Sequence, residues 1–309
     1  MPMPLFATKR TPESLETISY QAILQEAHEH YDTVAPSSDD DYKIALLLVD
    51  CCVDFCHPTG SLYIPGALEN TQKTTSFIYK NLEHITTIIT VVDSHMPYHI
   101  FFAPWWINEF GDHPQDYTII SYKDIVNRKY IPTIDKEFSI RYVKTLEEMG
   151  KKPLCIWPAH CLMGSLGQKI MPALSEAILY HSLIRTTNPI YMEKGTTAMS
   201  EYYGIFYPEV PINNHHQVEI NKKLFDILMA HDRIYIAGQA KSHCVVETLK
   251  QIASYDRKNK TSLLKKNVIL DDCCSVIRHP EIDFIQTTQD DFANLREQGL
   301  GITKAHVPL

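Results

Sequence analysis

The chain has 309 residues, with 29 Lys plus Arg against 37 Asp plus Glu, a formal net charge of −8 at pH 7 and an isoelectric point near 6.0. At 44% hydrophobic and 21% charged residues it can bury a sizeable core, which excludes intrinsic disorder. The acidic balance argues against nucleic acid or an anionic membrane as partner, since both need a basic face.

The first ten residues, MPMPLFATKR, lack the apolar run of a secretory signal. The longest apolar run, 44–49, falls far short of the ~18 residues that span a bilayer. A cytoplasmic chain with reduced thiols is expected. Of the eight cysteines, the adjacent pairs Cys51-Cys52 and Cys273-Cys274 are poorly placed to bridge internally, and no CxxC spacing supports structural zinc.

Residues 13–31 predict an amphipathic helix with Leu15, Ile18, Ala22, Ile23 and Ala27 on one face, and 36–41 (PSSDDD) have linker composition. Residues 1–40 are read as a helical extension and 41–309 as one α/β domain. Short β-branched runs at 43–50, 85–93, 153–157, 189–193, 233–238 and 267–271 predict strands. Helical segments at 68–84, 221–231, 243–255 and 282–298 separate most of them. Strands apolar on both faces alternating with helices predict a doubly wound parallel sheet.

Residues 101–152 break that rhythm and are read as an insertion. Its aromatics (Trp105, Trp106, Phe110, Tyr117, Tyr122, Tyr130) are dense for a surface loop and predict a contact face. A cap over a pocket is favoured, because both ends of the insertion lie near the expected site; a contact with another subunit or burial in its own domain are the alternatives. The basic stretch 257–266 is expected to be a solvated loop. Histidines such as His215, His216 and His279 are expected at the surface or in loops.

Ligands of open parallel sheets bind beyond the carboxyl ends of the strands. Those ends carry Asp50, then Asp93-Ser94-His95, His160 shortly after 153–157, Lys194, and Cys244 a few residues past Gly238. A cysteine at a helix start would have its pKa lowered toward the nucleophilic thiolate, although most cysteines are small buried apolar residues. Asp50 and Lys194 form either a structural salt bridge or a base with its positioning ammonium. Asp93-x-His95 can reach one metal ion, with His160 as a third ligand and open positions for water or substrate. His99 is a fourth ligand or a hydrogen-bond partner behind one. Two imidazoles and one carboxylate suit zinc.

The assembled pattern resembles the nicotinamidases of the isochorismatase-like cysteine hydrolase superfamily. The matching blocks, in order, are LLLVDCCVDFCHPTGSLYIPGA (46–67), VVDSHMPYHIFF (91–102), WPAHC (157–161), Lys194-Gly195 with EYYGIF (201–206), and AGQAKSHCV (237–245), so the resemblance covers about residues 43–275. It implies the isochorismatase-like hydrolase fold and a triad of Asp50, Lys194 and Cys244. It further implies metal ligands Asp93, His95 and His160, and an oxyanion hole from the N–H groups of Ala240, beside a cis peptide, and Cys244. Phe55, Trp157 and Tyr202 would line the substrate pocket. The implied activity is metal-assisted release of ammonia from a small aromatic carboxamide, nicotinamide first, which would place the chain in NAD salvage.

The chain departs from the family at two motifs, its insertion before His160 is longer than usual, and the helix before residue 40 lies outside the resemblance. Where nicotinamidases usually read VDxQNDF, Cys52-Val53 replaces Gln-Asn, and where they read ATDYC this chain has Ala240-Lys241-Ser242-His243-Cys244. A hydrolase of another small amide or ureide is the nearest alternative. A non-catalytic binding protein would have no need of a thiol, an acid and a lysine together. A vinyl ether hydrolase would need neither the thiol nor the metal site.

Overall fold

A computed structural model of the chain describes residues 4–211 and 215–309; the side chains of Tyr31 and of residues 215–221, His215 and His216 included, lie outside the described set. Six strands form one parallel sheet: β1 Ile44–Val49, β2 Thr87–Asp93, β3 Ile190–Lys194, β4 Arg233–Gly238, β5 Asn267–Leu270 and β6 Gly301–Thr303. Their order is β6-β5-β4-β1-β2-β3, so the chain winds outward from β1 in both directions. Strand order therefore reverses between β1 and β4, the place where doubly wound sheets open a crevice.

Every residue of β1 is buried, and its side chains alternate between two cores. Leu46 and Leu48 join one core, while Ala45, Leu47 and Val49 join the other. The longer helices are α1 Tyr20–His28, α2 Ala67–Lys80, α3 Lys136–Glu148, α4 Pro172–Ile184, α5 His215–Met229, α6 Val246–Asn259 and α7 Phe284–Glu297. Helices α1, α2 and α4 belong to the first core, and α5, α6 and α7 to the second. Among the described residues no helix is long and apolar enough to cross a membrane, and all eight cysteines are free and buried.

Three expectations change, and one helix was not foreseen. The run 153–157 is not a strand of the main sheet: Leu154–Cys155 pairs antiparallel with Ile119–Ile120 of the insertion. The helix expected over 13–31 is confined to α1, because Ser19 caps it by accepting from the Ala22 N–H while Leu15 and Ile18 approach extended and pack on the core. Helix α4 had no amphipathic signature because it is covered on both sides. Its Glu176 is buried and pairs with Arg10 of the N-terminal segment at 2.6 Å. The basic stretch is solvated only in part: Arg257, Lys258, Lys260 and Lys265 are exposed, but 257–259 end a helix, Leu263 and Leu264 are buried, and Lys266 donates to the carbonyls of Met229 and His231.

The insertion is folded into the domain. Trp105 and Trp106 are buried, their indole N–H groups donating to Ser139 Oγ and to the Ile100 carbonyl. The burial of the two tryptophans contradicts their reading as a contact face; Tyr117, Tyr122 and Tyr130 are half-buried against the core, and Phe110 is 81% exposed.

Candidate active site

Parallel register brings the polar strand ends together. Asp93 and Lys194 are cross-strand partners at the last rungs of β2 and β3, and Val49 pairs with both Val91 and Gly238, so Asp50 emerges beside the turn that follows β4. Asp50 takes a left-handed conformation (φ 50°), which turns its carboxylate off the strand axis. Two glycines make the approach feasible. A Cβ on Gly238 would lie 1.9 Å from the Val49 carbonyl oxygen, and one on Gly195 (φ 71°) would lie 2.5 Å from the His95 ring.

Lys194 Nζ stands at the centre. It is 2.9 Å from Asp50 Oδ2, pairs with Asp93 Oδ1, donates to the Tyr202 carbonyl at 2.8 Å and lies 3.6 Å from Cys244 Sγ. All four side chains are buried. Lys194 and the Cys244 thiol are the polar side chains that face the Asp50 carboxylate. Burial, reinforced by the charge of Asp93, raises Asp50 to about 7 against the pull of Lys194. Burial also works against Asp93, but Lys194 and His95 outweigh it and hold that carboxyl below the usual carboxylate range. Lys194 stays charged because its two carboxylates overcome its own burial.

Cys244 lies in a π-turn, Lys241–Val245, that runs into α6. The thiolate expected at this helix start is not favoured. Burial and the two carboxylates push the thiol well above its ordinary value, and Lys194 only partly opposes them. The resting residue is a thiol beside a carboxylate able to take its proton.

Asp93, His95 and His160 offer donor atoms that all lie within 4.8 Å of one another. His95 Nδ1 bonds the Gly195 carbonyl at 3.0 Å and His160 Nδ1 bonds that of Pro158 at 2.7 Å, which leaves both Nε2 atoms as acceptors. Burial lowers His160 to about 4, so it is a neutral imidazole. With Asp93 Oδ1 on Lys194, Oδ2 remains for an ion. The donor set fits a metal ion. His99 stands outside that set: its ring packs edge-on to His95 at 4.8 Å and faces the Gly195 backbone.

Above these groups lies a mostly apolar cavity. Phe55, Trp157, Tyr202, Ala240 and Cys244 line it, together with Asp93, His95 and His160. The Gln239–Ala240 peptide is cis. Phe101, Glu201, Tyr203, His243, Leu62, Ile64 and Ile277 also line it and were missed. Glu201 and Tyr203 flank Tyr202 in the EYYGIF block, and His243 precedes the nucleophile candidate, so adjacency was the available signal. The substituted pair Cys52-Val53 is buried in the core away from the cavity wall, whereas His243 is on that wall.

Solved structures share this architecture. The yeast nicotinamidase Pnc1p bound to the inhibitor nicotinaldehyde superposes with a TM-score of 0.55 at 20% identity, over 84% of this chain and 99% of that one. PnC1 from L. infantum in complex with nicotinate gives 0.53 at 18% identity, over 89% and 98%. A nicotinamidase/pyrazinamidase from Acinetobacter baumanii gives 0.55 at 18%, over 86% and 98%. The chain has the isochorismatase-like hydrolase fold. No protein-family model matches the sequence, and no curated protein matches it. At such identities the fold persists because the buried strand pattern and the strand-end geometry tolerate wide change elsewhere.

Proposed function

We propose that this chain is a cysteine amidohydrolase that converts nicotinamide, or a closely similar small aromatic carboxamide, to the carboxylate and ammonia, with residues 41–309 as the catalytic unit and 1–40 as an extension. One observation carries the reading: Asp50, Lys194 and Cys244 meet in a single buried cluster beneath an aromatic cavity. The neighbours of the same fold crystallised with nicotinaldehyde and with nicotinate support the substrate class.

Asp50, raised to about 7, takes the proton of Cys244 as Sγ attacks the amide carbon. Lys194 holds the carboxylate in place and offsets the charge of the thiolate. The N–H groups of Ala240 and Cys244 receive the developing oxyanion, and such a donor is typically worth ~3–4 kcal/mol. Asp50 returns its proton to the departing ammonia, and water then hydrolyses the thioester. Asp93, His95 and His160 would hold a divalent cation, zinc by their donor set, whose chemistry here is to bind the substrate's ring nitrogen. Phe55, Trp157 and Tyr202 enclose the ring.

Ammonia release by the purified chain from nicotinamide, benzamide and a small ureide, with metal analysis alongside, tests the proposal. Nicotinamide should be the preferred substrate. Turnover of the ureide with none of the aromatic amides would overturn it.

A further inference from the structure

Glu201 is a buried carboxylic side chain on the cavity wall to which the chemistry above gives no part. Its carboxyl is the hub of a hydrogen-bond chain. Tyr203 Oη donates to Glu201 Oε1 at 2.6 Å and itself accepts the Trp157 indole N–H at 3.2 Å. On the other side Tyr142 Oη donates to Glu201 Oε2 at 3.3 Å and accepts the Glu201 backbone N–H at 2.9 Å. Tyr142 sits on α3, within the insertion.

The chain therefore runs from the insertion to the aromatic wall of the pocket. Trp157 is buried in the core, so packing confines its ring while the hydrogen bond sets its plane. Its ring meets Tyr117 and His243 edge-on at 5.9 and 5.6 Å, contacts that a tilted ring could keep. Its N–H is a donor only; Tyr203 Oη accepts it, and the Glu201 carboxyl lies close enough to share it. The insertion also grips the backbone leading into this residue: the Trp157 N–H donates to the Phe101 carbonyl at 2.9 Å and the Ile156 N–H to that of Thr118 at 2.8 Å.

We propose that Glu201 is a positioning residue that, through Tyr203, sets the plane of Trp157 against the substrate ring, and that Tyr142 anchors it to the insertion. The inserted segment then acts on substrate choice from behind the pocket wall, by holding that wall still. The inference rests on the aromatic-amide reading. Burial raises Glu201 to about 8, so at neutral pH the carboxyl is uncharged; its acid proton on Oε2 then reverses the bond and is donated to Tyr142 Oη, and a Gln can take its place with Nε2 as that donor. Glu209 is the nearby acid that adds to this, and Lys152, 5.9 Å from the Tyr203 ring centroid, is already paired with Glu247.

Steady-state kinetics on nicotinamide with the full chain test it, using Tyr203→Phe, Tyr142→Phe, Glu201→Ala and Glu201→Gln. Tyr203→Phe and Glu201→Ala should raise KM about tenfold while kcat changes less than about threefold, because a loosened ring wall weakens binding of the ring and leaves the Asp50–Cys244 pair in place. Tyr142→Phe should give a smaller rise in the same direction, and Glu201→Gln should recover most of the KM that Glu201→Ala loses. The tryptophan fluorescence of Tyr203→Phe should shift from wild type, and adding Trp157→Phe should abolish that difference. Unchanged KM in Tyr203→Phe and Glu201→Ala, in an active wild type, overturns this inference alone. Parallel loss of kcat and failure of Gln to rescue overturn it in favour of a structural role. A wild type that neither hydrolyses nor binds nicotinamide overturns both this inference and the functional reading beneath it.

Discussion

Replacing Lys194 with Met removes the ammonium that pairs with both Asp50 and Asp93. At the 2.9 Å separation from Asp50, an effective dielectric of about 20 puts the attraction at roughly 6 kcal/mol, or about 10⁴ in the proton equilibrium of Asp50. That carboxyl already sits at about 7, so in the variant it stays protonated through neutral pH and cannot accept the thiol proton. Activity at neutral pH should fall by at least ~10³. The residual rate should keep climbing with pH where the wild type levels off, because the base is being recovered by titration. Ammonia release measured from about pH 6 to 9 reads both effects, and near-UV circular dichroism confirms that the variant is folded, since breaking a buried pair costs about 3–5 kcal/mol. A folded variant keeping more than about a twentieth of wild-type activity, or one whose pH profile superimposes on the wild type, would refute the assignment of Lys194 and Asp50 as ammonium and base.

Cys244→Ala should remove turnover by ~10⁴ or more while the melting temperature moves by only a few degrees, since the lost sulfur is one buried atom; retention of a tenth of the activity would exclude covalent catalysis at this position. His160→Ala should lower bound metal per chain along with activity, measured by elemental analysis, and an unchanged stoichiometry would take His160 out of the ion site. Glu201→Gln should alter the pH dependence of stability. The carboxyl's folded value, about 8, lies above its ordinary 4.5, so its favourable contribution is complete below 4.5 and is lost as pH rises toward 8. Denaturant titrations should therefore show the wild type losing stability relative to the Gln variant across that window, by a few kcal/mol at most, roughly. Parallel curves for the two proteins would mean that Glu201 is not held neutral.

Much of the fold was legible because β1, β2, β4 and β5 are short β-branched runs buried on both faces, a pattern that depends on local composition alone. The strand ends were legible for the same reason, since a charged residue closing an apolar run marks where the chain leaves the core. Asp50, Asp93, Lys194 and Cys244 could be placed on one side of the sheet before any coordinates. Other features needed three dimensions. Helix α4 carries no polar stripe because α1 and α2 cover it, and its buried Glu176 is paired with Arg10, 166 residues away. The run 153–157 reads as a core strand, yet its hydrogen bonds go to the insertion, and strand partners are chosen by tertiary position. The protonation of Cys244 was the sharpest divergence. Sequence places the thiol at a helix start, where the dipole favours the anion, but only packing reveals complete burial beside two carboxylates. Desolvation and like charge outweigh a helix terminus, so the structure, and not the motif, decides that Cys244 rests as a thiol and Asp50 is the group poised to titrate near neutrality.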